Sequence, residues 1–278
     1  MRVKVLVTGL FPSTGNYKDL TDILYRIHTN LVERSVHDTE VYYHSWNRKE
    51  IHSVLVPDNK YIRHARKNVF LDDMPICEYN PYKASKHTKT KRWLVQLDKH
   101  SHREFWRDIP QPGHITRNLQ IISTSKLIER LKDSPSDIYI RVRWDSVLSH
   151  NVDYDRLIHH VAKFNEPVGC MLEPDEKNTV VPHAFTVTRQ RFEKSDFYIE
   201  KRVPDNPLWD DRISDALIIF KPEWFDTKLV EHWWNKQELI AAEWAWWQVL
   251  CLPNKLKHLN INGVAVVLRQ YNGMRWVP

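Results

Sequence analysis

The chain has 278 residues, 42% of them hydrophobic, and a formal net charge of +6. That is enough apolar material for one large α/β domain or two small ones, and it excludes fibrous and low-complexity classes. The positive balance permits a polyanionic partner such as nucleic acid, a phosphate-bearing ligand or an acidic membrane surface, but it serves equally as a solvated surface.

Along the chain, Val3–Thr8 is β-branched and strand-like, and Gly9 to Asn16 supplies turn chemistry. From Tyr17 the period changes. Leu20, Ile23, Leu24, Ile27 and Leu31 recur at three- and four-residue steps and predict one apolar helix face. Glu40–Trp46 returns to strand composition, which completes the strand–helix–strand signature of a parallel sheet. Residues 57–112 carry Pro, Lys, Arg, His and isolated aromatics without sustained periodicity and read as a basic, loop-rich insertion. A helix is predicted from His114 to Leu131, closed by Asp133-Ser134-Pro135, and then a strand over Asp137–Val147. A short helix near Asp153–Phe164, a strand near Pro167–Leu172, strands at His183–Thr188 and Asp215–Phe220, one helical region at Leu229–Leu250 and a strand at Val264–Leu268 complete the series. No linker divides the chain, so one α/β domain spans 1–278.

Cys77, Cys170 and Cys251 are odd in number and form no C-x-x-C pair, so neither a disulfide framework nor a zinc site is indicated, and a reducing compartment fits. The amino terminus runs straight into a strand pattern without a signal-peptide apolar core, and no apolar run reaches the roughly 18 residues of a membrane span. A cytoplasmic protein without a transmembrane segment is expected.

The densest chemistry lies in Asp137-Ile-Tyr-Ile-Arg-Val-Arg-Trp-Asp145. Strand alternation puts Ile138, Ile140, Val142 and Trp144 on one face and Tyr139, Arg141, Arg143 and Asp145 on the other. Ligands of open α/β sheets bind outside the carboxyl ends of strands. Two guanidinium forks match phosphate oxygens there, and a carboxylate can hold the divalent cation that bridges them. The other reading is a surface Arg–Asp ladder, and burial decides between the two.

The turn-rich first strand followed by a strand of the form Y-I-R-x-R-x-D resembles nucleotide-sugar glycosyltransferases of the GT-A kind, of viral and lipopolysaccharide-synthesis type. The resemblance implies a GT-A-like, Rossmann-like sheet, mixed but mostly parallel and flanked by helices. It makes Asp145 the ligand of a divalent cation, Mn or Mg, and sets Arg141 and Arg143 near the diphosphate. Position 143 is Arg where the family's D-x-D pattern has its first Asp. The turn Thr8-Gly9-Leu-Phe11-Pro-Ser-Thr-Gly15 falls where that family holds the nucleotide base and ribose. It is neither a P-loop nor a G-x-G-x-x-G turn.

Arg117 and Gln120 share a helical face and can reach one phosphate or sugar, or simply face solvent. Asp211 and Glu243 are the candidate bases for an acceptor hydroxyl, the first in an acidic turn and the second framed by Trp. His258 is a candidate metal or phosphate contact, with a structural histidine as the plainer reading. The predicted partners are a nucleotide-sugar donor and a glycan or lipid-linked acceptor. The reading from a different class is a non-catalytic module, in which Lys83, Lys86, Lys89, Lys91, Arg92, Arg103 and Arg107 with Trp93 and Trp106 dock nucleic acid or an anionic assembly surface.

Overall fold

The Val-rich first strand, β1 (Arg2–Thr8), pairs in parallel on both sides, with β2 (Asp38–Trp46) and with β4 (Ile138–Arg143). A strand in that position is covered on both faces, which is why it reads as a near-continuous apolar run. Its single lysine is buried too, and Lys4 Nζ donates to the Ser134 carbonyl at 2.6 Å. The computed structural model describes residues 1–9, 17–47, 51–52, 55–73, 115–134, 136–150, 152–171, 213, 215–236, 242–262, 265–267, 269–271 and 274–276.

With β3 (Val69–Asp72), β6 (Val168–Met171), β7 (Leu217–Phe220) and β8 (Leu259–Asn262), the sheet has seven strands in the order β3-β2-β1-β4-β7-β6-β8. Only β7 opposes its neighbours β4 and β6, and the other pairings are parallel. The chain moves outward from β1 through β2 to β3 and then returns to the other side of β1 as β4. The carboxyl ends of β1 and β4 therefore flank a topological switch point, where open sheets form a ligand crevice.

Adjacent residues of β2 show how the layers sit. Tyr43 points to α1 (Tyr17–His28) and α2 (Lys60–Asn68), where its hydroxyl meets His28 and His64. His44 points the other way, to Ser123 of α3 (Ile115–Arg130). Since successive strand residues face opposite sides, α3 covers one face and the α1–α2 pair the other. Helix α4 (Tyr154–Phe164) packs on β7. Its first turn is fixed by Asp153, whose Oδ1 accepts from the Arg156 amide at 3.0 Å. Helices α5 (Thr227–Lys236) and α6 (Ala242–Leu250) lie beside α3. This is the mixed, mostly parallel sheet flanked by helices that the sequence predicts.

Three elements differ from expectation. The strand over Asp137–Val147 breaks at Trp144–Asp145 and resumes as β5 (Ser146–Leu148), which leaves the main sheet to pair with β9 (Ala265–Val267). The break is held by side chains: Trp144 donates its indole N–H inward to the His44 carbonyl at 2.8 Å, and Asp145 is gripped by Arg143. The region Leu229–Leu250 is two helices rather than one. Residues 60–72, read as the start of a loop-rich insertion, form α2 and the edge strand β3. Only Ile62 and Ala65 of that helix are buried, so its apolar stripe is too short to show a period among Lys, Arg and His. The remainder of the insertion and the expected strand His183–Thr188 lie outside the described residues. The hairpin of β10 (Arg269–Tyr271) and β11 (Met274–Trp276) stands apart from the sheet.

Candidate functional site

Arg141, on the predicted polar face of β4, is fully buried. Burial of that face excludes the surface-ladder reading. The face turns toward α3 and α6 instead of water, and each guanidinium nitrogen of Arg141 has an acceptor. Nε donates to Thr8 Oγ1 at 3.2 Å, Nη2 to Gln120 Oε1 at 3.0 Å and Nη1 to the Asp215 carbonyl. The Trp246 ring stands against the guanidinium, 5.1 Å from its carbon to the ring centroid. Burial pulls the guanidinium down to about 9, which still leaves it charged at neutral pH. Thr8 Oγ1 lies 2.7 Å from Thr124 Oγ1, and Thr124 donates to the Gln120 carbonyl at 3.0 Å. With the Thr124 proton committed there, Thr8 is the donor of that pair, and the chain from Arg141 to Gln120 is satisfied at every step.

Two residues on, Arg143 makes a bidentate pair with Asp145, Nε to Oδ1 at 2.7 Å and Nη2 to Oδ2 at 2.8 Å, and reaches Asp215 Oδ2 through Nη1 at 3.1 Å. Such parallel charge-assisted bonds fix orientation as well as charge. Asp215 enters the cluster from the start of the strand that the sequence predicts at Asp215–Phe220. It arrives through register, because antiparallel β7 sets Leu217 opposite Val142 and thereby carries its preceding loop to the end of β4. The two arginines and two aspartates cancel in charge.

On the other side of the switch point Gly9 has φ +118, a left-handed conformation that favours glycine. Its amide donates to Ser123 Oγ at 2.9 Å. Ser123 Oγ lies 2.7 Å from His44 Nδ1, and His44 Nε2 lies 2.9 Å from Asp72 Oδ2. Burial lowers the His44 pKa, against the opposing pull of Asp72. Asp72 is itself pushed up by burial but ends below the usual carboxylate range, through the hydrogen bond from His44 and the charges of His44, Lys126 and Arg130. In a neutral imidazole this geometry has Nε2–H donating to Asp72 and Nδ1 accepting from Ser123. The turn after β1 is thus wired through two buried side chains to a carboxylate at the sheet edge. Neither Ser123 nor His44 stands out in sequence, since a lone Ser on a helix and a lone His on a strand carry no motif.

The structure brings together Thr8, Gly9, Gln120, Arg141, Arg143 and Asp145. Phe11 and Asp211 lie outside the described residues, as do the side chains of Arg117 and Glu243, whose backbones belong to α3 and α6. His258 is not brought to Asp145. The registers β8–β6, β6–β7 and β7–β4 set it level with Tyr139. From Tyr139 the strand runs four positions further to Arg143 (143 less 139), roughly 13 Å at about 3.3 Å per residue, before the break that holds Asp145.

A divalent cation does not fit Asp145 as folded. Both carboxylate oxygens are engaged by one guanidinium, and a dication on either would neighbour a full positive charge, a repulsion of several kcal/mol at an effective dielectric of about 20. Among the described residues no cluster of three or more His, Cys, Asp or Glu is placed to hold a metal. Among them also, no helix is long and apolar enough to cross a membrane.

No family model and no curated protein matches the chain. Solved structures similar to it include core-mannan synthase A from Aspergillus fumigatus in a Mn/GDP form, at 12% identity and TM-score 0.43, covering 90% of this chain and 69% of that one. A CMP:2-keto-3-deoxy-manno-octonic acid synthetase complexed with CTP is similar at 9% identity and TM-score 0.40, over 94% and 90% of the two chains. An active-site mutant of LgtC is similar at 12% identity and TM-score 0.37, over 85% and 64%.

Proposed function

We propose that the protein is a GT-A-like glycosyltransferase that binds a nucleotide-diphosphate sugar across the carboxyl ends of β1 and β4 and passes the sugar to a glycan or lipid-linked acceptor. The observation that carries this reading is the buried Arg141–Thr8–Gln120 network beside the Arg143–Asp145–Asp215 cluster at the switch point of the sheet. Burying a guanidinium carries a desolvation penalty that its hydrogen bonds offset only in part. Here it sets the end of β1 against the end of β4, the two walls of the crevice.

In this reading the backbone at Thr8 and Gly9, with Phe11, receives the nucleoside, while Arg143, with Arg117, faces the diphosphate. The acceptor oxygen bonds to the anomeric carbon as the bond from that carbon to the diphosphate breaks. The electron pair leaves on the diphosphate, and in an inverting transfer the acceptor proton passes to a carboxylate, Asp211 or Glu243. Fixed positive charge near the leaving diphosphate lowers the barrier because it is already in place when the charge develops.

A thermal-shift series with UDP, GDP, CDP and CMP, each with and without Mn²⁺, tests the reading, since a ligand that binds only the folded chain raises its Tm. One nucleotide is expected to stabilise the wild type and to lose that effect in Asp145→Ala. A flat response to all four would remove the transferase reading.

A further inference from the structure

We infer that Arg143 occupies the place of a divalent cation, so that the nucleotide binds without metal; this deepens the nucleotide reading above and rests on it. The guanidinium stands between two carboxylates, with bonds of 2.7 and 2.8 Å to Asp145 and 3.1 Å to Asp215. One positive centre bridging two acidic side chains is how carboxylates surround a bound cation.

The pair is not a screened surface bridge. The Arg143, Asp145 and Asp215 side chains keep only 13%, 16% and 3% of their surface in solvent. The backbone of Asp215 is held as well. Its carbonyl accepts from Arg141 Nη1, and Arg141 is held in turn by Thr8, Gln120 and the Trp246 ring. Moving that carbonyl would leave a fully buried guanidinium short of an acceptor. A guanidinium also keeps its charge across the working pH range and cannot be stripped by a chelator. Asp145 becomes a positioning residue, which aims Arg143.

The test is calorimetric titration of UDP, GDP, CDP and CMP into the full chain, in EDTA and again with Mn²⁺. The nucleotide that binds should do so with Kd values within about twofold in the two buffers. Arg143→Asp removes the guanidinium and sets a third carboxylate beside Asp145 and Asp215, which makes a metal-type donor set. This variant, its folding checked by near-ultraviolet circular dichroism, should lose about tenfold or more in EDTA and recover with Mn²⁺. Mn²⁺ alone, followed by electron paramagnetic resonance, should bind the variant at this site and not the wild type.

Wild-type binding that weakens more than about tenfold in EDTA overturns the inference and leaves the nucleotide reading standing. Absence of binding in both buffers removes both. A folded Arg143→Asp variant that binds equally well in EDTA also overturns it, because the guanidinium is then not the counter-charge. The wild-type comparison decides alone if the variant does not fold.

Discussion

The crevice end of β4 and the space beneath α1 and α2 both bury polar side chains, with opposite chemistry. At β4 they are guanidinium groups against carboxylates, Arg141 and Asp215 buried and Arg143 and Asp145 half-buried. Under α1 and α2 they are neutral rings. The Tyr43 hydroxyl lies 2.8 Å from His28 Nε2 and 3.3 Å from His64 Nδ1, and His28 meets His64 edge-on with ring centroids 4.7 Å apart. Burial lowers His28 to about 4, lowers His64 and raises Tyr43. The second region is a core that tolerates polar atoms because they bond one another. The first holds charge in place, which packing alone does not require.

The largest effect that sharpens this contrast is Arg141→Met. It leaves Thr8, Gln120 and the Asp215 carbonyl without their buried donor, so a loss of about 3 to 5 kcal/mol is expected in urea denaturation. A loss under about 1 kcal/mol would make the charged region ordinary packing. Acid titration comes next. The folded pKa of His28 is below its unfolded value of 6.5, so the unfolded chain binds more protons between pH 6.5 and about 4. Stability is full above pH 6.5 and falls as pH drops through that window. The loss is at most about 3 kcal/mol, reduced by the part of the imidazole open to solvent. Denaturation midpoints against pH read it, and His28→Gln should flatten the slope. The smallest effect is Ser123→Ala, which cuts the link from Gly9 to His44 and should cost about 1 to 2 kcal/mol.

Reading the sequence found the residues that strand alternation, a strand end or helical spacing marks, and did not pair Asp215 with them. Arg141, Arg143 and Asp145 are visible together because strand alternation sorts them, and Thr8 and Gly9 because a strand ends there. Asp215 depends on the direction of β7, and nothing in Ala216-Leu-Ile-Ile-Phe220 says that it runs antiparallel to β4. Alternation left the polar face open between a ligand site and a solvated ladder because it reports two faces without saying what covers each; α3 and α6 cover this one. His258 shows the converse, a residue of suitable chemistry carried to the other end of the sheet by strand register.

Hydrogen exchange along the chain, with and without the stabilising nucleotide, tests the location of the site most directly. Slower exchange concentrated at residues 8–9 and 143–146 is the predicted result, because ligand binding suppresses opening of the backbone it touches. Protection confined to the basic segment 83–107, with the ends of β1 and β4 unchanged, would contradict the account and favour a module that docks a polyanion.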